Sequence, residues 1–199
     1  KKVKKILQYG KKNNLNYLDT SSHYGNAETL LGKLNLVNWK VTTKYKTEEI
    51  LIEKEEILKN LIKLIEKSKK KLGIKKIYCI LLHNPELILT RYGNELYGSL
   101  QKAKSLGLIS NFGYSIYNFS SLKKICKKFK PDIIQCPYNI FDRRLVIKDY
   151  LNFLKSEGIE IHARSVFLQG LLLMPLKKLP KFHRKWKNIF YKWENWLSK

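Results

Sequence analysis

One short stretch of this chain reads Leu18-Asp19-Thr20-Ser21-Ser22-His23-Tyr24-Gly25, and it joins a predicted buried strand to a predicted helix through a polar loop. The strand is predicted to end near Asp19, and the helix to begin after Asn26. Reactive side chains often collect in such loops, because the flanking elements hold them in place. An acid at the strand end and a tyrosine five residues later would face the same opening. We therefore predict that Asp19 and Tyr24 belong to one functional site.

Two kinds of apolar segment alternate along the rest of the chain. Short, continuously apolar or β-branched runs predict buried parallel strands, and apolar residues three or four apart predict amphipathic helices. The predicted strands span residues 17–20, 39–44, 77–82, 109–115, 133–136 and 159–163. One predicted helix ends near Gly10, and others span residues 27–34, 57–72, 96–107, 122–129 and 145–154, with a last aromatic helix at 180–199.

This alternation predicts a single α/β domain over residues 1–199, with a parallel sheet and helices outside it, because parallel neighbours need long connections. A doubly wound sheet and a (β/α)8 barrel both fit the pattern. A dinucleotide-binding doubly wound sheet usually carries a Gly-x-Gly loop after its first strand, and none of the ten glycines lies two residues from another. We therefore favour an incomplete (β/α)8 barrel of the TIM type, with about six parallel strands.

Polar side chains follow the strands at the point where each strand ends. The first three strands end on Asp19, Lys44 and His83, and the later strand ends carry Ser115, Gln135 with Asn139, and Arg164 with Ser165. Polar groups from successive strands converge on one point only if the sheet closes, and barrel active sites lie at the carboxyl end of the strands. This distribution favours the barrel.

Each of these residues also has an ordinary structural explanation. An aspartate at a strand end is often a turn or helix cap, and a single lysine there is usually solvated. His83 precedes Asn84-Pro85 and could be a loop histidine with satisfied hydrogen bonds. The combination is more informative than its members, because four ionisable residues occur in the order Asp19, Tyr24, Lys44, His83.

That order resembles the catalytic tetrad of the aldo-keto reductases. The resemblance extends to the segments Leu81-Leu82-His83-Asn84-Pro85, Gly113-Tyr114-Ser115, Gln135 through Asn139, and Ser165-Val166-Phe167-Leu168-Gln169-Gly170. The chain is most similar to a bacterial branch that is often labelled as acting in surface-polysaccharide biosynthesis.

The resemblance implies reduction of a small aldehyde or ketone by hydride transfer from NADP(H), or from NAD(H), without a metal ion. It implies that Tyr24 donates the proton and that His83 orients the carbonyl. A phenol has an ordinary pKa of about 10, and we expect the Lys44 ammonium to favour its phenolate form. Asp19 is expected to pair with Lys44 and hold it in place.

The resemblance also implies a set of cofactor-binding residues, namely Ser115, Gln135, Tyr138, Arg164, Ser165, Gln169 and Gly170. Family members usually carry asparagine directly after the serine, whereas this chain has Ile116. Strands 1 and 8 of the family barrel have no counterpart in the chain. We therefore predict two open sheet edges and self-association through them. The alternative function is a catalytically silent barrel remnant, or a binding module that cannot hold the cofactor phosphate.

Composition limits the other possible functions. Lysine and arginine number 40 against 16 acidic residues, which gives a formal net charge of +24. The lysines lie on the polar faces of separate predicted helices, so nucleic-acid binding is not expected. The three cysteines lack metal-ligand spacing, and no apolar run is long enough to span a membrane. The first residues lack the apolar core of a signal peptide, and we expect a cytoplasmic protein.

Overall fold

The computed structural model describes residues 2–52 and 56–198, and its centre is a six-stranded parallel sheet. The strands pair in chain order, each one parallel to the next. They are β1 Tyr17–Asp19, β2 Lys40–Tyr45, β3 Ile77–Leu82, β4 Ile109–Ser115, β5 Ile133–Pro137 and β6 Glu160–Arg164. The sheet curls into a half-barrel, which confirms the predicted incomplete (β/α)8 architecture.

Helices connect the strands in the described part of the chain. They are α1 Lys2–Lys12, α2 Ala27–Gly32, α3 Thr47–Ile50, α4 Ile57–Leu72, α5 Gly93–Ser105, α6 Leu122–Lys128, α7 Arg144–Ile147, α8 Tyr150–Ser156 and α9 Lys187–Leu197. Shorter 3-10 helices span Pro85–Leu89, Leu168–Leu173, Leu176–Lys178 and Lys181–Trp186. None of the described helices is both long and apolar enough to cross a membrane.

The main hydrophobic core lies between the sheet and the surrounding helices. Ile80 of β3 and Tyr114 of β4 belong to it, together with Leu61 of α4 and Leu96 of α5. These side chains are buried, and α4 packs against α5 along the outside of the sheet. The apolar faces of the helices therefore cover the sheet, as their periodicity predicts.

A second, smaller cluster lies on the other face of the sheet. It contains Cys79, Leu81 and Ile133, and all three are completely buried. Gly113 is paired with Ile133, and a Cβ atom at position 113 would lie 2.0 Å from the Ile133 carbonyl oxygen. The neighbouring strand can approach this closely only because residue 113 has no side chain.

Side chains of the first and last strands, β1 and β6, contact each other across the opening of the sheet. The rings of Tyr17 on β1 and His162 on β6 lie 5.5 Å apart in an edge-to-face arrangement. Lys40 Nζ donates a hydrogen bond to the Tyr17 hydroxyl at 3.1 Å, and His162 Nε2 lies 2.8 Å from a carboxylate oxygen of Glu160. Polar and aromatic groups, rather than strand pairing, therefore line the opening between β1 and β6.

The sequence predictions of two helical segments need correction. The segment predicted as one helix over residues 145–154 forms two, because Asp149 adopts a left-handed backbone with φ of 56° between α7 and α8. The aromatic helix predicted over 180–199 begins only at Lys187, because a 3-10 turn over Lys181–Trp186 follows Pro180. Lys199 lies outside the described residues.

The close contact at Gly113 leads to a stability prediction. We expect Gly113→Ala to lower the free energy of unfolding by about 1–3 kcal/mol, because the new methyl group would overlap the Ile133 backbone. Gly98→Ala is the matched control, since Gly98 lies in α5 and a Cβ there would meet nothing within 4 Å. That change should raise stability by about 1 kcal/mol. Urea unfolding measures both, and equal midpoints for the two variants would contradict the packing.

Candidate active site

Four of the predicted site residues meet at the carboxyl end of the first three strands. Asp19 is the last residue of β1, Lys44 is the penultimate residue of β2, and His83 follows the last residue of β3. Tyr24 lies in the loop between β1 and α2. Because the strands are parallel, their carboxyl ends share one edge of the sheet, and the four side chains share one environment.

An ion pair between a buried lysine and a half-exposed aspartate holds this site together. Lys44 Nζ lies 2.6 Å from Asp19 Oδ2 and donates a second hydrogen bond to the Thr20 carbonyl oxygen at 2.9 Å. The Lys44 side chain is only 2% exposed, whereas that of Asp19 is about half exposed. Burial lowers the pKa of Lys44, and the neighbouring Asp19 charge opposes that shift. The pair predicted between Asp19 and Lys44 is thus present.

Tyr24 lies beside this pair, at the surface of the site. Its ring centroid is 5.4 Å from Lys44 Nζ, and its side chain is half exposed. Burial first, and the negative charge of Asp19 second, raise the pKa of Tyr24 above its ordinary value. The net shift of the Tyr24 pKa is therefore upward, opposite to the downward shift that we expected from Lys44. The reason is burial first and the Asp19 carboxylate second, because Asp19 pairs with Lys44 and disfavours a second negative charge nearby.

His83 is held by a residue that our sequence analysis did not select. Its Nε2 atom lies 2.8 Å from the hydroxyl oxygen of Tyr117, which follows β4. Burial first, and then the charges of Lys44, His23 and Arg164, lower the pKa of His83. The imidazole is therefore neutral at neutral pH. Tyr117 follows a strand end by two residues, so the rule that found the other site residues could also have found it.

Ser115 and Gln135 extend the site across the inside of the half-barrel. Gln135 Nε2 donates a hydrogen bond to Asp19 Oδ1 at 2.9 Å, which connects β5 to β1. The Ser115 hydroxyl oxygen and Gln135 Oε1 are buried, and neither has a hydrogen-bond partner within the described part of the chain. Two polar atoms next to the ion pair are therefore available to a ligand.

Arg164 brings a second cation to the same region. Its guanidinium carbon lies 3.9 Å from the ring centroid of Tyr117. Its Nη1 atom donates to the Ser165 hydroxyl and its Nη2 atom to the Ile116 carbonyl oxygen, both at 3.3 Å. Arg164 thus joins the ends of β4 and β6. Among the residues that the structure describes, it forms no ion pair with a carboxylate.

The remaining predicted cofactor residues lie in the loops after β5 and β6. The backbone N–H of Tyr138 donates to the Arg164 carbonyl oxygen at 3.2 Å, and the side chain of Gln169 is exposed. Ser165, Gln169 and Gly170 all have positive φ angles. Asn139 holds the two loops together, because its Nδ2 atom donates to the Ser165 carbonyl oxygen at 3.2 Å.

A cavity of about 380 Å³ opens beside these residues, between the two ends of the sheet. Asp19, Thr42 and Gln135 line it, together with Tyr17 and His162. Asp19 can therefore be approached from inside the half-barrel. Among the described residues, no group of three or more His, Cys, Asp or Glu side chains is placed to hold a metal ion.

Comparison with known families agrees with this geometry. The profile of the Aldo/keto reductase family matches residues 1–196, which is nearly the whole chain. The chain belongs to the aldo/keto reductase family. Its membership confirms the family that the tetrad and the strand-end motifs predicted. A search of curated proteins finds no significant match.

Solved structures of aldo-keto reductases share the fold of this family member. The holo form of AKR11C1 from Bacillus halodurans has a TM-score of 0.71 at 22% identity, and the match covers 89% of this chain and 61% of that one. A putative aldo-keto reductase from Pseudomonas aeruginosa has a TM-score of 0.67 at 19% identity, with 85% and 68% covered. Aldose reductase from Giardia lamblia has a TM-score of 0.63 at 15% identity, with 82% and 61% covered. The chain thus spans about three fifths of the length of the Bacillus halodurans protein.

The electrostatics of this candidate site can be tested by titrating His83. Lys44→Met should move the His83 titration midpoint upward, because the Lys44 charge is the largest electrostatic cause of its lowered pKa. Proton NMR of the imidazole measures the midpoint. Lys46→Met is the control, since Lys46 is exposed and is the last of the five causes, so its removal should produce a smaller shift. An unchanged midpoint in a folded Lys44→Met variant would contradict the assigned coupling.

Proposed function

We propose that this chain carries the proton-transfer site of a nicotinamide-dependent carbonyl reductase, with an aldehyde or ketone as substrate and Tyr24 as proton donor. The observation that carries the proposal is the joint placement of Tyr24 and His83 around the ion pair of the buried Lys44 with Asp19. Catalytic groups often have shifted pKa values, and the pKa values of Tyr24, Lys44 and His83 are shifted. The family match supports the same reaction class.

Unpaired polar atoms in the site suit the nicotinamide group of NADP(H). A carboxamide has both a donor and an acceptor, and the buried Ser115 hydroxyl and Gln135 Oε1 can serve them. Tyr138, Ser165, Gln169 and Gly170 would hold the rest of the cofactor from the two neighbouring loops. When bound, NADP(H) supplies the hydride that the carbonyl carbon accepts. Ile116 has no side-chain hydrogen-bonding group, so Ser115 and Gln135 alone would bind the nicotinamide carboxamide.

The raised pKa of Tyr24 suits a proton donor, because the phenol stays protonated at neutral pH. As the carbonyl carbon gains a hydride, the oxygen gains negative charge and takes the phenolic proton. His83 is neutral, and the position of the Tyr117 hydroxyl shows that an oxygen atom fits at hydrogen-bond distance from Nε2.

Removal of the phenol tests the proposal directly. Tyr24→Phe should lower the rate of aldehyde reduction by about 10²–10⁴-fold, because the proton donor is lost. The change should leave NADPH affinity within about twofold, since the hydroxyl acts only in proton transfer. Loss of NADPH absorbance measures the rate, and NADPH fluorescence measures binding. A rate equal to that of the parent would remove Tyr24 from the mechanism.

A second candidate function is a binding module or a catalytically silent barrel remnant. The observation behind it is that this chain covers only about three fifths of the length of the Bacillus halodurans structures. The same fluorescence titration separates the two functions. Saturable NADPH binding supports the reductase, and its absence supports the remnant. A cytoplasmic location and a role in surface-polysaccharide synthesis stay predictions from the sequence.

We further propose that the chain self-associates through its sheet ends. β1 and β6 each pair with only one strand of the described sheet, so one edge of each strand has no strand partner there. Unpaired strand edges are templates for association. Moderate salt screens the net charge of +24 and should increase association, which light scattering at low and moderate salt would measure. A monodisperse monomer at both salt concentrations would contradict this proposal.

A further inference from the structure

Arg164 lies one aromatic ring away from the proposed catalytic histidine. The ring of Tyr117 separates the two groups, with its hydroxyl 2.8 Å from His83 Nε2 and its face 3.9 Å from the guanidinium carbon. The positive charge of Arg164 lowers the pKa of His83 and opposes the rise in the pKa of Tyr24. The positive charge of the guanidinium therefore influences the region between Tyr24 and His83, where a carbonyl group would react.

The donors of Arg164 are not filled by the protein. A guanidinium has five N–H donors. Its two hydrogen bonds, to Ser165 and Ile116, go to uncharged oxygens and are long, at 3.3 Å each. Its Nε atom is buried and has no partner in the described part of the chain.

The acids near Arg164 are already paired with other cations. Asp142 senses the Arg164 charge, but Arg144 binds both of its carboxylate oxygens, at 2.9 and 2.8 Å. Asp19 is paired with Lys44 at 2.6 Å. Within the described residues, no carboxylate oxygen lies within 4.0 Å of the Arg164 guanidinium.

A partly buried guanidinium without a counter-ion is costly unless a ligand supplies one. Carboxylates fit the planar fork of arginine, because two parallel hydrogen bonds can form. The family resemblance places Arg164 among the cofactor-binding residues. Its position beside Tyr117 and His83 instead favours binding of the substrate.

We propose that Arg164 binds a carboxylate group carried by the substrate, so that the preferred substrates are oxo acids whose carbonyl and carboxylate lie about one ring width apart. This inference rests on the proposed carbonyl reductase function and makes its substrate class specific. The reaction is unchanged: the carbonyl carbon gains a hydride, its oxygen gains the Tyr24 proton, and the carboxylate stays intact while it orients the carbonyl.

A pair of aromatic aldehydes tests the inference. The probes are 4-carboxybenzaldehyde and its uncharged analogue 4-formylbenzamide, titrated by calorimetry into the whole chain with and without NADPH. We expect the acid to bind at least about tenfold more tightly than the amide, because charge-assisted hydrogen bonds are the stronger kind. Arg164→Gln should remove this preference. Arg143→Gln removes the same charge from an exposed neighbouring position and should keep it.

Histidine titration gives a readout that does not depend on turnover. A bound carboxylate offsets the Arg164 charge, so 4-carboxybenzaldehyde should raise the His83 midpoint in the parent. In Arg164→Gln the midpoint should be raised already, and the acid should not raise it further. Arg164→Lys keeps the positive charge but loses the planar fork of donors, so it should show a reduced preference for the acid over the amide. This variant keeps the inference testable if the glutamine variant does not fold.

The outcomes separate this inference from the proposed function. Equal binding of acid and amide by the parent, with normal aldehyde reduction, overturns the inference alone. A weaker NADPH affinity in Arg164→Gln, with the acid preference retained, also overturns it and assigns Arg164 to the cofactor diphosphate. An Arg164-dependent acid preference in a chain that reduces no aldehyde supports the carboxylate site and overturns the reductase function.

Discussion

The ion pair between Lys44 and Asp19 is the interaction on which the candidate site depends. Lys44 is almost completely buried, and a buried ammonium is stable only with a close partner and further hydrogen bonds. Asp19 and the Thr20 carbonyl oxygen provide both, at 2.6 and 2.9 Å. Asp19 also accepts a hydrogen bond from Gln135, so the same carboxylate connects β1 to β2 and to β5. One aspartate therefore links the start of the sheet to its far side.

This pairing determines the protonation states around it. Because Asp19 balances the charge of Lys44, it is burial and the carboxylate that raise the pKa of Tyr24. His83 experiences the opposite influence, since burial and several nearby cations lower its pKa. The result is a protonated phenol and a neutral imidazole, both suited to interact with a carbonyl oxygen. Arg164 is a cation in this region with no carboxylate oxygen within 4.0 Å among the described residues.

The curvature of the sheet brings distant parts of the chain to this site. Gln135 comes from β5 yet donates a hydrogen bond to Asp19 of β1, and Arg164 at the end of β6 lies near enough to His83, after β3, for its charge to lower the His83 pKa. The same curvature places Tyr17 against His162 across the opening between the sheet ends. A cavity lined mainly by polar and aromatic side chains, rather than a continuous apolar core, thus lies between the first and last strands.

The amino-acid sequence by itself determined the order and type of the strands, because continuous apolar runs between amphipathic helices require a covered parallel sheet. It also predicted Asp19, Tyr24, Lys44 and His83 as site residues, because parallel strands present their carboxyl ends on one side and the loop after β1 carries Tyr24. Only the tertiary structure decided the contact of Tyr117 with His83, the hydrogen bond from Gln135 to Asp19 and the isolation of Arg164 from acids. It also reversed the expected direction of the Tyr24 pKa shift. Periodicity indicates which face of an element is buried, whereas a pKa depends on the depth of burial and on which charges lie nearby, and both are set by how the sheet curls.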